Sequence, residues 1–137
     1  ELPGQTFIDP APLITQMASQ QITVIVSHPE RHEHLVRHPE AVAAWLASGA
    51  LIQITAASLL GDFGAAAERA AWRWLSTPTP HGRAGAQVLI ASDAHDVQDR
   101  PPRLSAAIDA IAGRLGHAMA RRMCLENPLE ILKATEG

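Results

Sequence analysis

The sequence predicts an α/β fold on a parallel sheet. Short β-branched runs alternate with stretches whose apolar residues repeat at helical spacing. The strand-like runs are almost continuously apolar, as in strands covered on both faces. His, Asp and Arg gather just after two of these runs, at the strand ends where parallel folds place their ligand sites.

Asp9-Pro10 opens the first helix, with a side-chain acceptor at the N-cap and proline at the first helical position. Leu13, Ile14 and Met17 follow at helical spacing. Ile22 to Val26 reads as a short buried strand. Residues 39–48 read as a helix with Val42 and Leu46 on one side and Gly49 at the C-terminal cap. Residues 50–55 form the next strand. Residues 58–76 read as mainly helical, with Gly61 and Gly64 weakening the first turns. Residues 77–85 form a loop marked by proline and glycine. Residues 87–91 read as a third strand. Leu104, Ile108, Ile111, Ala112 and Leu115 define a helical stripe, and a short helix follows over residues 117–125. Asn127-Pro128-Leu129-Glu130 opens the last helix, with Asn127 as cap and Glu130 reaching back. Glu1-Leu2 reads as the end of a further strand. Three full strands are few, and a closed barrel of strands and helices normally needs ~200 residues or more. Residues 1–137 are therefore expected to be part of a larger fold.

Composition narrows the classes. The chain has 137 residues, 47% hydrophobic and 18% charged, with formal net charge −3. That is enough for one core, and it gives no basis for a nucleic-acid or anionic-membrane partner. No stretch approaches the ~20 apolar residues of a membrane span, so no membrane insertion is expected. The one cysteine, Cys124, makes no intrachain disulfide, and a cytoplasmic location is expected. In its helical setting Cys124 reads as an apolar filler. The Ala-rich helix faces leave a homo-oligomer open.

The first strand runs into Ser27-His28-Pro29-Glu30-Arg31-His32, and the third into Ser92-Asp93-Ala94-His95. A carboxylate and an imidazole two residues apart at a strand end suit Zn, Mn or Fe rather than Ca. Arg31 and Arg100 stand a few residues beyond, and a guanidinium is a natural fork for phosphate. Metals that activate water, with arginines that hold phosphate, make a phosphoesterase kit. From spacing alone, Asp93-x-His95 equally describes a turn with a helix cap, and Arg31 equally pairs with Glu30, Glu33 or Glu40. His32, His34, His38, His81 and His117 read as surface or hydrogen-bonding residues.

Four stretches in order resemble one family. Ser27-His28-Pro29-Glu30-Arg31 resembles the "A-H-P-E-R-Y" signature of the capsule-type tyrosine phosphatases of the PHP (polymerase and histidinol phosphatase) family. Residues 49–64, through Gln53-Ile54-Thr55, Ser58-Leu59 and Phe63-Gly64, resemble their "G-x-x-x-Q-I-T-x-x-S-L-x-G-x-F-G". Ile90 to His95 with Arg100-Pro101-Pro102 resembles "I-A-S-D-A-H … R-P-P", and Glu126-Asn127-Pro128 resembles "E-N-P".

The resemblance implies the C-terminal part of a distorted (β/α)7 PHP barrel with parallel strands, incomplete in this chain: one partial domain, residues 1–137, without the N-terminal strands. It implies a divalent metal cluster, Mn first with Fe or Zn as alternatives. Glu1-Leu2-Pro3 resembles the family's glutamate before "L-P". Carried over by motif, Glu1, His28, Asp93 and His95 fall on metal-ligand positions, and Arg31 and Arg100 on the arginines beside the phosphate. It implies hydrolysis of phosphotyrosine on a protein, a bacterial tyrosine kinase of capsule or exopolysaccharide synthesis. His32 departs from the usual Tyr, and the His-x-His motif that begins the family pattern is not in this sequence, so about half the ligand set is expected here. A phosphoesterase for small phosphomonoesters and a non-catalytic remnant are the alternatives.

Overall fold

The computed structural model describes residues 1–3, 6–78 and 85–134. Along the chain come α1 (Ala11–Ser19), β1 (Ile25–Ser27), a 3₁₀ turn (Pro29–Arg31), α2 (Glu33–Arg37), α3 (Pro39–Ala47) and β2 (Leu51–Thr55). They are followed by α4 (Ala56–Leu59), α5 (Ala65–Leu75), β3 (Val88–Ala91), α6 (Ser105–Leu115), α7 (His117–Arg121), a π-helical turn (Arg122–Glu126) and α8 (Asn127–Ala134). The strands form one parallel sheet in the order β1-β2-β3. Among the described residues no helix is long and apolar enough to cross a membrane.

Register fixes the two faces. Val26 pairs with Ile52 and Ile52 with Val88, while Ile54 pairs with Ile90. These five residues are buried in one cluster with Trp45 and Leu46 of α3, Trp74 and Leu75 of α5, Ile111 of α6 and Met123. The opposite face is less covered: Ile25 is 38% exposed, and Leu51, Gln53 and Ala91 are half-buried. The first strand is thus shorter than the sequence suggests and not buried on both faces. Ile22, expected in it, is exposed and lies outside it.

Local chemistry sets the element ends. Asp9 caps α1, its Oδ1 accepting from the Ala11 N–H at 3.0 Å. The same oxygen accepts from the indole N–H of buried Trp45 at 3.0 Å and ties α1 to α3. At the end of α3, Gly49 N–H donates to Leu46 O and Ala50 N–H to Trp45 O, the paired bonds of a Schellman cap. The cap requires a left-handed residue, and Gly49 has φ +89°.

Three expectations change. Residues 58–76 are two helices, because Gly61 and Gly64, each at φ +87°, turn the chain between α4 and α5. Glu1-Leu2 is not in a strand. Asn127 does not cap a new helix: the chain continues through the π-helical turn, and the Asn127 backbone is itself helical. Its buried amide instead donates to Gly85 O at 2.8 Å and Val88 O at 2.6 Å, clamping the entry to β3. Most of the expected loop over residues 77–85, with His81, lies outside the described residues. Cys124 is half-buried, and burial pushes its thiol up from the ordinary value, as befits a packing residue.

The Asn127 clamp yields a test that separates it from a cap. Asn127→Ala leaves two carbonyls without their donor and should cost about 1–3 kcal/mol in urea unfolding. Asn127→Asp is a good cap but lacks the amide donor, so it should be at least as destabilising; an Asp variant as stable as the parent would restore the cap reading.

Candidate active site

β1 and β3 both end in backbone that side chains rarely adopt. His28, directly after β1, has φ +35°, and Asp93, two residues past β3, has φ +53°. Gln21 is the other non-glycine residue with positive φ among the described residues. Such conformations persist where the surroundings over-determine them, and they cluster at functional sites.

The side chains beyond these turns meet. Asp93 Oδ2 accepts from Arg31 Nη1 at 2.8 Å and from Arg100 Nη2. Two guanidiniums from distant segments thus share one carboxylate oxygen, and the excess positive charge there favours an anion. Arg31 also lies over the Phe63 ring, its Cζ 4.2 Å from the centroid. His95 Nδ1 faces the Asp93 carbonyl oxygen at 2.8 Å, which only accepts, so Nδ1 carries the proton. His95 Nε2 then presents its lone pair, in the neutral ring, to Arg100 Nη1 at 3.2 Å. A backbone carbonyl holding one ring nitrogen is the usual support of a metal-binding histidine, although here the other nitrogen is engaged by Arg100.

On the other side of Arg31, His28 Nε2 lies 3.4 Å from Glu1 Oε1. A cavity of about 140 Å³ is lined there by Glu1, Ser27, His28, Arg31 and His32. His32 holds the leading segment: its Nε2 donates to Pro3 O at 3.1 Å. The structure therefore brings Glu1 to His28, and Asp93 to His95 and both arginines. Among the described residues, however, no group of three or more His, Cys, Asp or Glu is placed to hold a metal ion. The candidate ligands form two pairs, and the residues present do not fit a complete metal site.

Three contributors were not singled out from sequence. Phe63 sits on the turn between Gly61 and Gly64. Glu30, in the 3₁₀ turn after β1, is fully buried against the end of β2 and α4, and burial raises its carboxyl above the ordinary value against the opposing bonds from Thr55 and Ser58. Asp96 closes the loop before Arg100: its Oδ1 accepts from the N–H groups of Gln98, Asp99 and Arg100. These bonds, the Arg100 one foremost, hold its carboxyl below the usual range. An Asp followed by a tight turn was the available signal for it.

Comparison with known proteins places the chain in a family. The family model described as capsular polysaccharide synthesis, CpsB/CapC, covers residues 5–133. The chain belongs to the CpsB/CapC family. It is 38% identical over 77 residues to a Staphylococcus aureus protein bearing the tyrosine-protein phosphatase name CapC, spanning 56% of this chain and 28% of that protein. It is 26% identical over 116 residues to the tyrosine-protein phosphatase CpsB of Streptococcus pneumoniae, spanning 81% of this chain and 45% of that one. A solved structure from work on Bacillus subtilis YwqE and S. pneumoniae CpsB, described as unique metal-dependent tyrosine phosphatases, matches the fold with TM-score 0.76 at 22% identity. It covers 91% of this chain and 51% of that one. The chain thus spans about half or less of the length of these CpsB/CapC relatives.

The Asp96 loop is directly testable. Asp96→Ala should speed amide exchange at Gln98, Asp99 and Arg100 by about tenfold or more while core amides keep their protection. Because the folded carboxyl titrates below its unfolded value, the loop's extra stability is present above the ordinary aspartate range and is lost as pH falls through the folded value. Protection factors at these three amides that respond to neither change would remove Asp96 from this role.

Proposed function

We propose that this chain supplies the phosphate-gripping part of a metal-dependent phosphatase that acts on phosphotyrosine in proteins, its substrate a bacterial tyrosine kinase of capsule synthesis. One observation carries the reading: Arg31 and Arg100, from separate segments, converge on Asp93 just past the strand ends. Family membership supports it, as do the names of the relatives. We propose further that the three strands are a segment of a (β/α)7 barrel whose interior is the half-covered sheet face.

Each residue then has a task. Arg31 and Arg100 hold the phosphoryl oxygens and offset the charge that develops on them. Phe63 supports Arg31 from below. Beside Arg100 opens a cavity of about 540 Å³, bordered by Leu60, Phe63, Ser92, Pro101 and Arg103. Its size and its partly apolar wall suit the phenyl group and neighbouring residues of a phosphotyrosine segment. Glu1, His28, Asp93 and His95 are proposed as part of a metal ligand set. Oxygen and nitrogen donors of this kind suit manganese, and also iron or zinc. Each pair offers only two donors, too few to close a metal site by itself.

Two outcomes are expected. In the active protein, Arg31→Ala and Arg100→Ala should each lower kcat/KM by about 100-fold, metal content measured by elemental analysis staying near normal. Lysine at either position should restore only part of the activity, since it lacks the two-pronged contact. Loss of metal together with either arginine would make these residues structural. The 137-residue chain alone, given Mn²⁺, should hydrolyse p-nitrophenyl phosphate little or not at all, because an incomplete donor set holds metal weakly. Turnover near that of the active protein would sink this assignment of the ligands.

A further inference from the structure

Glu30 is fully buried, yet the reaction proposed above makes no use of its carboxylate. Its Oε1 accepts from the Thr55 backbone N–H at 3.0 Å and from the buried Ser58 hydroxyl at 2.8 Å. Its Oε2 is also buried and has no partner among the described residues. A carboxylate kept in such a place is costly unless its bonds are needed.

The parallel ladder shows what it replaces. Leu51 N–H donates to Val24 O, and His28 N–H donates to Gln53 O at 2.7 Å. In a parallel pair, a residue that donates to one position accepts from the N–H two residues further along the partner strand. The next bond should therefore run from Thr55 N–H to the carbonyl of His28. That carbonyl has turned away: His28 is left-handed, and its oxygen accepts from Arg31 N–H at 3.1 Å within the 3₁₀ turn. Turning the strand end toward the site orphans the Thr55 N–H, and Glu30 Oε1 fills the vacant acceptor position.

We infer that Glu30 is a positioning residue for the site: its side-chain oxygen completes the β2 ladder in place of the His28 carbonyl, and so holds His28 and Arg31 in the turned conformation. The inference rests on the site reading given above. What the position requires is an acceptor of glutamate's reach. Glutamine keeps one, whereas alanine leaves Thr55 N–H and the Ser58 hydroxyl unsatisfied and frees the turn.

The experiment compares Glu30→Ala, Glu30→Gln and Ser58→Ala in the active protein, with Asn127→Ala as a variant destabilised by buried bonds elsewhere. Readouts are kcat and KM on p-nitrophenyl phosphate and the inhibition constant of inorganic phosphate. Glu30→Ala should lower kcat/KM about 100-fold and raise the phosphate inhibition constant about tenfold, the size expected when site groups shift by an ångström. Glu30→Gln should stay within about threefold of the parent, and Ser58→Ala, which keeps the Thr55 bond, should fall between. Asn127→Ala should leave the phosphate constant unchanged. Glu30→Ala with parental phosphate inhibition overturns the inference. So does a glutamine variant as impaired as the alanine one, or an Asn127→Ala variant that shifts the phosphate constant equally. In the 137-residue chain, Glu30→Ala should also move the NMR signals of the His28 ring and the Arg31 Nε–H, while Glu30→Gln should not. If the parent protein neither turns over substrate nor binds phosphate, the site reading fails, and these signals alone decide the role of Glu30.

Discussion

The candidate site exists because three strands run parallel and in register. Ser27 pairs with Gln53 and Thr55 with Ala91, so the chain leaves every strand at the same edge of the sheet. Residues 28–31 and 92–100 are far apart in sequence, but they emerge together. Had β3 run the other way, Asp93 would start from the opposite edge, about 15 Å away for a strand as long as β2. The helical crossovers that parallel pairing demands also supply the cover for one face: Trp45 and Leu46 from the first, Trp74 and Leu75 from the second. One constraint, strand direction, thus sets both the core and the meeting of Arg31 with Asp93.

Charge decides how those residues sit. Two guanidiniums within reach of one oxygen repel each other, and Asp93 offsets that repulsion. The groups are partly exposed, with Arg31 at 28% and Asp93 at 19%, so solvent screens the attraction and each pair contributes modestly to stability. Modest pairing suits an anion site. A phosphate dianion brings more charge and more acceptor oxygens than one carboxylate, and can draw both arginines without a large penalty for releasing Asp93. The Phe63 ring keeps Arg31 from swinging into water meanwhile.

Much of this was legible in the residues. Element type and order follow from apolar periodicity, and the clusters at the strand ends followed from the residues after Val26 and Ala91. The signals that misled were local ones that tertiary contacts overrode. Asn127 before a proline has the sequence of a cap, but its amide satisfies two buried carbonyls at the start of β3, a partner far away in sequence. Ile22 looks like strand interior, yet among the described residues no strand pairs with it. Gly61 and Gly64 were marked as weak points in a helix; their left-handed backbone breaks it and sets the turn that carries Phe63. In the sequence Glu30 reads as a letter of a motif or a partner for Arg31, because its place in the ladder depends on a bond to Thr55 that no linear pattern displays.

The two arginines share a form of support that neither their identity nor their spacing reveals. Each follows a point where the chain abandons regular hydrogen bonding. Before Arg31 the β1 strand ends in a left-handed residue, and before Arg100 an irregular loop leaves three N–H groups to satisfy. In both places a nearby carboxylate supplies the acceptors: Glu30 for Thr55, Asp96 for residues 98–100. A carboxylate side chain is well suited to this, since its two oxygens offer about four acceptor sites and carry charge, where a backbone carbonyl offers two. The acidic residues beside the arginines therefore need not touch substrate to matter. They fix the backbone from which the guanidiniums project, so that less ordering remains to be done when an anion binds.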